Sequence, residues 1–259
     1  MQALARRAHA EYGRIDVWVN TAGVMAYGLF EDMPAETFRH VIDTNLMGQV
    51  HGARAVLPYF REQRRGVMVN IASVWGSVTS PYVVPYVVSK FGVRSFSECL
   101  QEGLRLERGT HDIHVCTILP QSVDTPIFRH AGNYTDRTPK PVPPVADPQR
   151  VVRAILRSVE HPRRQRTVGW WGRFLEVGHG LLPGFYSRLV PTVMNRTAFD
   201  GEAANQGPGN IFESMPEWNR VTGDWRRAEV RIPVAVAAAS IAGAGAVIAA
   251  RRVKRSPTT

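Results

Sequence analysis

An α/β fold, with a parallel sheet covered by helices on both faces, is predicted from two features of the sequence. First, short apolar stretches alternate with long stretches of helical periodicity between residues 16 and 118, and this alternation is typical of a parallel sheet. Second, 44% of the 259 residues are hydrophobic and 21% are charged. That composition is typical of globular proteins and excludes a wholly disordered chain.

The individual strands and helices follow from the periodicity of the apolar residues. Between residues 34 and 63 they recur at spacings of three and four, whereas residues 66–72 form a continuous apolar run of strand length. Pro85 suits the first turn of a helix, and Pro120 ends a strand. Strands are predicted at residues 17–20, 66–72, 114–119 and 167–170, and helices at 1–16, 34–63, 85–106 and 150–160.

The C-terminal part of the chain is organised differently. A folded domain is predicted over residues 1–198, followed by a polar, glycine-containing linker over 199–231. Residues 232–250 carry no charge, and a basic tail, 251–259, follows them. A helix of this length spans about 28 Å, close to the roughly 30 Å of a hydrocarbon core. The sequence therefore predicts a hydrophobic helix that lies on a membrane or crosses it. A buried soluble helix is the alternative.

The chain is basic, and the excess charge lies in its C-terminal half. It has 32 Lys and Arg against 22 Asp and Glu, and residues 140–259 hold 18 of the basic and 9 of the acidic side chains. The basic residues are dispersed without interleaved aromatics, which argues against a nucleic-acid partner and favours a membrane surface. Cys99 and Cys116 cannot staple a secreted fold, no metal-ligand spacing is apparent, and no signal-peptide core precedes the domain. A cytoplasmic domain, membrane-associated through its C-terminus, is expected.

One pair of residues points to acid–base chemistry. Tyr86 and Lys90 lie four residues apart on a predicted helix, so their side chains share one face. At about 4 Å and an effective dielectric near 20, the ammonium would stabilise a phenolate by roughly 4 kcal/mol, or about 3 pK units. This would bring the pKa of the tyrosine toward neutrality, where it can exchange protons. The alternative is an ordinary amphipathic helix.

Three further features lie where they would support such a site. Ser73 follows a predicted strand, at the carboxyl edge of the sheet where α/β proteins bind ligands. Asn45 is a poor helix former in the middle of a predicted helix. Asn20, Ala22 and Gly23 form a turn of small residues where backbone can approach a ligand closely. Each feature also has an ordinary structural explanation, as a cap, a kink or a turn.

Taken together, these segments resemble the classical short-chain dehydrogenase/reductase family. The resemblance covers about residues 13–128 and rests on five motifs in family order. They are DVWVNTAG (16–23), DTNLMG (43–48), NIAS (70–73), YVVSK (86–90) and PQSVDTP (120–126).

The resemblance implies a Rossmann-like fold and an NAD- or NADP-dependent interconversion of an alcohol and a carbonyl. By the family's roles, Tyr86 is the general acid/base, Lys90 lowers its pKa and binds the nicotinamide ribose, and Ser73 positions the carbonyl. Asn45 would hold a water in a proton relay. A homodimer formed through the helices that contain Asn45 and Tyr86 is the expected assembly. The cofactor-binding residues would be Asn20, Ala22, Gly23, Tyr86, Lys90, Pro120, Val123 and Thr125.

The sequence departs from the family pattern in one major respect. The glycine-rich phosphate fingerprint is absent, since only 19 residues precede Asn20 and a dinucleotide-binding βαβ unit needs roughly 30. We therefore expect an N-terminally incomplete sheet, with residues 17–20 as an exposed edge strand. Either translation starts further upstream or the chain is truncated and inactive. Two smaller departures are Thr21 in place of the family's usual asparagine and Gln121 in place of its usual glycine.

The function predicted from the sequence is an oxidoreductase that acts on an apolar alcohol or ketone. The apolar substrate is inferred from the C-terminal segment and from Trp170, Trp171, Phe174 and Leu175, which could form a lid. Core packing is the alternative for these residues. The alternative function is a cofactor-free remnant of the fold that serves as a membrane-bound interaction module or has no activity.

Overall fold

A four-stranded parallel sheet forms the centre of the fold. The computed structural model describes residues 1–226, and the sheet has the order β1 (Val17–Asn20), β3 (Arg65–Ile71), β4 (Asp112–Pro120) and β7 (Gln165–Val168). All three strand pairs are parallel. The predicted parallel sheet is therefore confirmed, with strand bounds that differ by a few residues.

Seven helices surround this sheet in the described part of the chain. They are α1 (Gln2–Tyr12), α2 (Ala35–Ile42), α3 (Gly48–Gln63), α4 (Val84–Leu106), α5 (Pro148–Glu160), α6 (Trp170–Leu181) and α7 (Pro183–Thr197). Pro85 lies in the first turn of α4, as predicted. The Asp147 side chain caps α5 by accepting a hydrogen bond from the Gln149 N–H at 2.9 Å.

The two faces of the sheet are covered by different helices. On one face, Met68 and Val115 pack with side chains of α1, α3 and α4, among them Phe60. On the other face, Val69 and Cys116 pack against the apolar side of α5. Successive residues of β3 thus enter opposite cores, as a strand buried on both faces requires.

A π turn interrupts the helix predicted over residues 34–63. The turn spans Asp43–Met47 and lies between α2 and α3. Extra-residue turns of this kind are rare and concentrate at functional sites. The Asn45 side chain is thereby turned inward and is fully buried, although asparagine is a poor residue for a regular helix.

Small strands join the loops above the carboxyl edge of the sheet. β2 (Ala26–Tyr27) pairs in parallel with β5 (Gly132–Asn133), and β6 (Arg137–Pro139) pairs with β8 (Phe199–Ala203). The loops that follow β1 and β4 are therefore hydrogen-bonded to each other. They form one covered region over the end of the sheet.

The prediction of a linker over residues 199–231 is wrong for residues 199–226. Phe199 and Ile211 are buried in two different apolar clusters, and residues 199–226 belong to the same compact unit as the sheet. The polar composition of this segment predicts a linker, but a short polar segment can still pack against a domain through a few apolar side chains. Most of the predicted hydrophobic helix, residues 232–250, and the basic tail lie outside the described residues. Within residues 1–226, no helix combines the length and apolar character that a membrane crossing requires.

The first strand lies at an edge of the sheet, as predicted. β1 pairs with β3 on one side, and no other strand of residues 1–226 pairs with it. The side chain of Val19 is more than one-third exposed there. An apolar edge strand is a site where another strand can add.

Candidate active site

Three of the predicted groups meet at the carboxyl edge of β3. Ser73 follows β3, and Tyr86 lies in the first turn of α4, where the Ser73 side chain is close enough to lower the pKa of the Tyr86 phenol. The Lys90 ammonium lies 5.4 Å from the centre of the Tyr86 ring and donates to the Ile71 carbonyl at 2.9 Å. The sequence-predicted serine, tyrosine and lysine therefore lie together.

The electrostatics of this pair differ from the expectation. Burial raises the pKa of Tyr86 to about 12, and the hydrogen bond from Ser73 offsets only part of that effect. Burial also lowers the pKa of Lys90 to about 8. The predicted fall of the tyrosine pKa toward neutrality is therefore wrong for this state. The reason is that removal of water penalises the phenolate and the ammonium alike.

Asn45 is held in place by three hydrogen bonds. Its side-chain amide donates to the Val24 carbonyl at 2.9 Å and to the Ser89 hydroxyl at 3.0 Å, and its oxygen accepts from the Val24 N–H at 2.7 Å. The Ser89 hydroxyl in turn donates to the Tyr86 carbonyl at 2.7 Å. Asn45 thus ties the loop after β1 to the helix that carries Tyr86 and Lys90.

The loop at Gly23 passes close to Lys90. A Cβ atom at Gly23 would lie 3.5 Å from both the Asn45 oxygen and the Lys90 nitrogen. An ammonium has three donors, and within the described residues one of them is used, by Ile71. Ala22 is exposed beside this loop. A ribose with two hydroxyls fits this arrangement, so the residues present suit the nicotinamide end of a dinucleotide.

One predicted cofactor residue is engaged elsewhere. The Asn20 side chain accepts from the Trp18 indole at 2.8 Å and donates to the Asn70 oxygen at 2.8 Å. Asn70 then donates to the Ser97 hydroxyl at 2.9 Å. The Asn20 side chain therefore belongs to a buried polar ladder across β1, β3 and α4. Any part that Asn20 takes in cofactor binding remains a prediction for its backbone.

The remaining predicted cofactor residues follow β4. Pro120 ends the strand, and Val123 pairs in a parallel bridge with Ala146. The Thr125 carbonyl accepts from the Trp225 indole at 3.2 Å. These residues lie next to the end of β4, on the same edge of the sheet as Tyr86.

Comparison with known proteins shows the family to which the chain belongs. The family described as "short chain dehydrogenase" matches residues 1–135, which is more than half of the chain. This chain belongs to the short-chain dehydrogenase family. A crystal structure of a short-chain dehydrogenase from Streptomyces avermitilis covers 75% of this chain and 74% of its own, with a TM-score of 0.59 at 24% identity. That likeness supports the fold.

Two relatives with longer chains align with this protein. The uncharacterized oxidoreductase YxnA of Bacillus subtilis is 30% identical over 74% of this chain and 54% of its own. A 3-ketodihydrosphingosine reductase of Bacteroides thetaiotaomicron is 39% identical over 45% of this chain and 42% of its own. This member of the short-chain dehydrogenase family thus spans about half the length of the curated relatives it matches.

The structure shows how the chain accommodates Gln121, where the family resemblance leads one to expect glycine. The Gln121 amide donates to the Pro144 carbonyl at 2.8 Å, and its oxygen lies against Gly169. Gly169 has a φ of 104° and no room for a Cβ atom. The bulky side chain is therefore directed toward the end of β7, where a glycine leaves space for it.

Tyr86 belongs to a buried apolar cluster that includes several aromatic rings. The Trp75 ring meets the Tyr86 ring edge-on, with centroids 6.0 Å apart. The other buried members of this cluster are Met25, Tyr27, Val83, Val87, Phe128, Met194, Ala198 and Phe199. Such a lining excludes water from the reacting groups and suits an apolar substrate.

The predicted aromatic lid is only partly correct. Leu175 packs with Val74 and Tyr186, so α6 and α7 do cover the loop that follows β3. Trp170, in contrast, is 65% exposed. The residues of this region that pack in the same buried cluster as Tyr86 are Met194 of α7 and Phe199, at the start of β8.

Sequence reasoning missed two residues of the pocket, Tyr27 and Trp225. Tyr27 lies in the two-residue strand β2, and Trp225 lies in the segment predicted as a linker. The Asp124 carboxylate accepts from the Gly223 N–H at 3.1 Å and from the Trp225 N–H at 2.9 Å. No local pattern signals either residue, because both reach the site through contacts between distant segments.

Replacing Lys90 by methionine is expected to stabilise the protein at neutral pH. Burial of the charged ammonium destabilises the folded state, and the lowered pKa of Lys90 reflects that cost. The gain in stability should be largest below pH 8, where Lys90 is charged in both the folded and the unfolded wild type. It should fade as the pH rises toward 10.5 and beyond, because Lys90 becomes neutral in both states. We expect Tm to rise by roughly 5 °C at pH 7. The Ile71 carbonyl keeps a second partner, the Gln49 amide.

Thermal unfolding of both proteins between pH 6 and about 10 tests this expectation. A gain that stays constant over that range would show that the Lys90 pKa is not lowered.

Proposed function

We propose that this chain carries the catalytic half of an NAD(P)-dependent oxidoreductase that interconverts an alcohol and a carbonyl on an apolar substrate. The observation that carries the proposal is that Ser73 and Lys90 both lie beside the Tyr86 phenol. A phenol, a hydroxyl and an ammonium in one water-poor pocket supply the groups that carbonyl reduction needs.

In the direction of reduction, the carbonyl oxygen would accept hydrogen bonds from the Ser73 and Tyr86 hydroxyls. When bound, the nicotinamide supplies the hydride. Tyr86 then gives its proton to the developing alkoxide, and the Lys90 charge stabilises the phenolate that remains. Because the pKa of Tyr86 is raised to about 12, the proton is in place at neutral pH. Asn45 keeps Tyr86 and Lys90 in register through Ser89 and Val24.

The pocket lining and one relative support an apolar, chain-bearing substrate. Tyr86 belongs to a buried apolar cluster, and one aligned protein is named a 3-ketodihydrosphingosine reductase. We infer that the substrate is a ketone or secondary alcohol with a long alkyl chain.

A turnover assay with NADH and NADPH on long-chain ketones tests this function. Residues 1–226 contain no glycine-rich phosphate loop after a strand, so we expect this chain to bind nicotinamide weakly. The assay therefore compares this chain with a version that includes any in-frame upstream codons. If neither version oxidises or reduces any member of the series, the alternative of a cofactor-free interaction module is favoured.

We further propose a membrane surface as a partner, with the folded domain in the cytoplasm. The segment 232–250 motivates this proposal but lies outside the described residues. A second feature supports it, since α6 exposes Trp170, Phe174, Val177 and Leu181 along one face. Their spacings of four, three and four residues put these side chains in one stripe, opposite the buried Gly172 and the partly buried Leu175.

The exposed charges of α6 and α7 favour an anionic lipid surface. Arg173, Arg188 and Arg196 are exposed, and none of them has an ion pair within residues 1–226. The acidic Glu176 is occupied by a hydrogen bond from the Thr167 hydroxyl at 2.9 Å. An apolar stripe with unpaired arginines is typical of helices that lie in a membrane interface.

Replacing both Val177 and Leu181 by serine is expected to weaken binding to phosphatidylglycerol vesicles about tenfold. The matched control replaces Val152 and Leu156, an exposed apolar pair on α5, by serine and should bind as the wild type does. Co-sedimentation gives the affinities, and quenching by brominated acyl chains reports whether Trp170 enters the lipid. Full binding without quenching would mean that the C-terminal segment alone reaches the membrane.

We also propose that the chain forms a homodimer. Met47, Val88 and Phe91 are apolar, and each is at least one-third exposed on the π turn and on α4. These are the elements through which the family resemblance predicts dimerisation. Sedimentation equilibrium should give the mass of two chains, and the mass of one chain would contradict this proposal.

A further inference from the structure

The Tyr27 hydroxyl is buried without a partner. The residue is 0% exposed, and no atom of the described residues forms a hydrogen bond with its hydroxyl. The other tyrosines of this region have polar neighbours. Tyr82 bonds with Asn195, Tyr134 with Thr37 and Tyr186 with the Thr79 carbonyl, and Tyr86 has the Ser73 side chain beside it.

The backbone holds Tyr27 firmly in this position. β2 pairs with β5, the Tyr27 carbonyl accepts from the Tyr134 N–H at 2.7 Å, and the next residue, Gly28, donates to the Tyr82 carbonyl at 2.8 Å. The Tyr27 ring meets the Phe199 ring edge-on, with centroids 5.7 Å apart. It belongs to the same apolar cluster as Tyr86. A fixed segment therefore holds the orphan hydroxyl within the buried cluster that contains Tyr86.

Packing alone does not explain a tyrosine at this position. A buried hydroxyl without a partner destabilises the folded state, and phenylalanine would fill the same space without that penalty. The phenols of Tyr27 and Tyr86 also differ in their pKa. Burial and the nearby Tyr86 raise the pKa of Tyr27 still further than that of Tyr86. Tyr27 therefore remains a neutral hydrogen-bond donor while Tyr86 exchanges its proton.

We propose that the Tyr27 hydroxyl binds a second polar group of the substrate, a hydroxyl close to the reacting carbonyl. A carbonyl oxygen accepts two hydrogen bonds, and Ser73 and Tyr86 would supply both. The Tyr27 hydroxyl is then left for a different substrate atom. Tyr27 and Tyr86 share a buried apolar cluster, which suits an alkyl chain as the rest of the substrate. The substrate class is thus a long-chain α-hydroxy ketone and the corresponding diol, which deepens the proposed function and rests on it.

The test compares two ligands and needs no turnover. One is an α-hydroxy ketone with an unbranched alkyl chain, and the other is the same ketone without the hydroxyl. Quenching of tryptophan fluorescence reports binding, since Trp75 contacts Tyr86. Measurements are made with and without added NADPH. We expect the wild type to bind the hydroxy ketone about tenfold more tightly than the plain ketone.

The variant Tyr27→Phe should lose this discrimination and bind both ketones as the wild type binds the plain one. Its thermal stability without ligand should be equal to that of the wild type or higher, because an unsatisfied hydroxyl is removed. The matched control is Tyr134→Phe, whose hydroxyl bonds with Thr37 at 2.7 Å. It should lose stability and keep the discrimination.

The outcomes separate this inference from the function on which it rests. If the wild type binds both ketones equally, or if Tyr27→Phe keeps the preference, Tyr27 has no such role and the oxidoreductase proposal still stands. If the wild type binds neither ketone under either condition, the proposed function and this inference both fail. A loss of stability in Tyr27→Phe with equal weakening for both ligands would assign Tyr27 a packing role only.

Discussion

Replacing Tyr86 by phenylalanine is expected to lower kcat/KM for the ketone by about a thousandfold or more, in whichever version of the chain shows turnover. The substitution removes one oxygen atom and keeps the ring that packs against Trp75. Without that oxygen, the Ser73 hydroxyl has no proton donor beside it. The developing alkoxide then loses both a hydrogen bond and its proton source. Steady-state kinetics with saturating nicotinamide measures the loss.

Cofactor affinity should change little in Tyr86→Phe, because Lys90 keeps its bond to Ile71 and its place beside Gly23. The matched control is Tyr82→Phe. Tyr82 lies four residues earlier, and its hydroxyl donates to the Asn195 side chain at 3.2 Å, away from Ser73. The control should retain turnover within a few-fold. Equal activity of Tyr86→Phe and the wild type would remove the basis of the proposed mechanism.

The sheet and the central triad could be predicted because their signals are local. The run of apolar residues in β3 predicts a strand covered on both faces, and Met68 and Val69 do enter opposite cores. The spacing of Tyr86 and Lys90 places both on one helix face whatever the rest of the chain does. Ser73 follows from its position after a strand, since parallel strands bring their carboxyl ends to one edge.

Features set by distant contacts could not be predicted in this way. The rise in the Tyr86 pKa depends on burial by side chains as far along the chain as Met194 and Phe199. The spacing of Tyr86 and Lys90 indicates that an ammonium lies near the phenol, but it does not indicate that the phenol is buried. Trp225 looks like part of a linker until Asp124 binds its backbone. Tyr27 has no periodicity to reveal it, because β2 is only two residues long.

The π turn at Asn45 illustrates an intermediate case. An asparagine in the middle of a long helix signals an irregularity such as a kink, and the structure has one at this residue. The kind of irregularity depends on the three hydrogen bonds that Asn45 forms with Val24 and Ser89. Those partners lie 21 and 44 residues away in the sequence. The helical period predicts the element, and tertiary contacts determine its interruption.

Replacing Gly52 by alanine is expected to destabilise the fold by about 2–4 kcal/mol. Gly52 lies in α3 directly beneath the polar ladder of the sheet. A Cβ atom there would overlap the Asn20 side-chain oxygen and lie 2.9 Å from the Trp18 indole nitrogen. The overlap forces Asn20 to move. Its bonds to Trp18 and Asn70 are then lost in a region that water does not reach. Urea unfolding followed by circular dichroism gives the change in free energy.

The effect should be specific to the ladder, because alanine is otherwise the better helix former. Gly103 provides the matched control, since it lies in α4, is exposed, and has no atom within 4 Å of the place that a Cβ atom would occupy. Gly103→Ala should be neutral or should stabilise by up to about 1 kcal/mol. If Gly52→Ala behaved like Gly103→Ala, the ladder would have room to shift. The close approach of α3 to β1 would then contribute little to the stability of the sheet edge that carries Asn20.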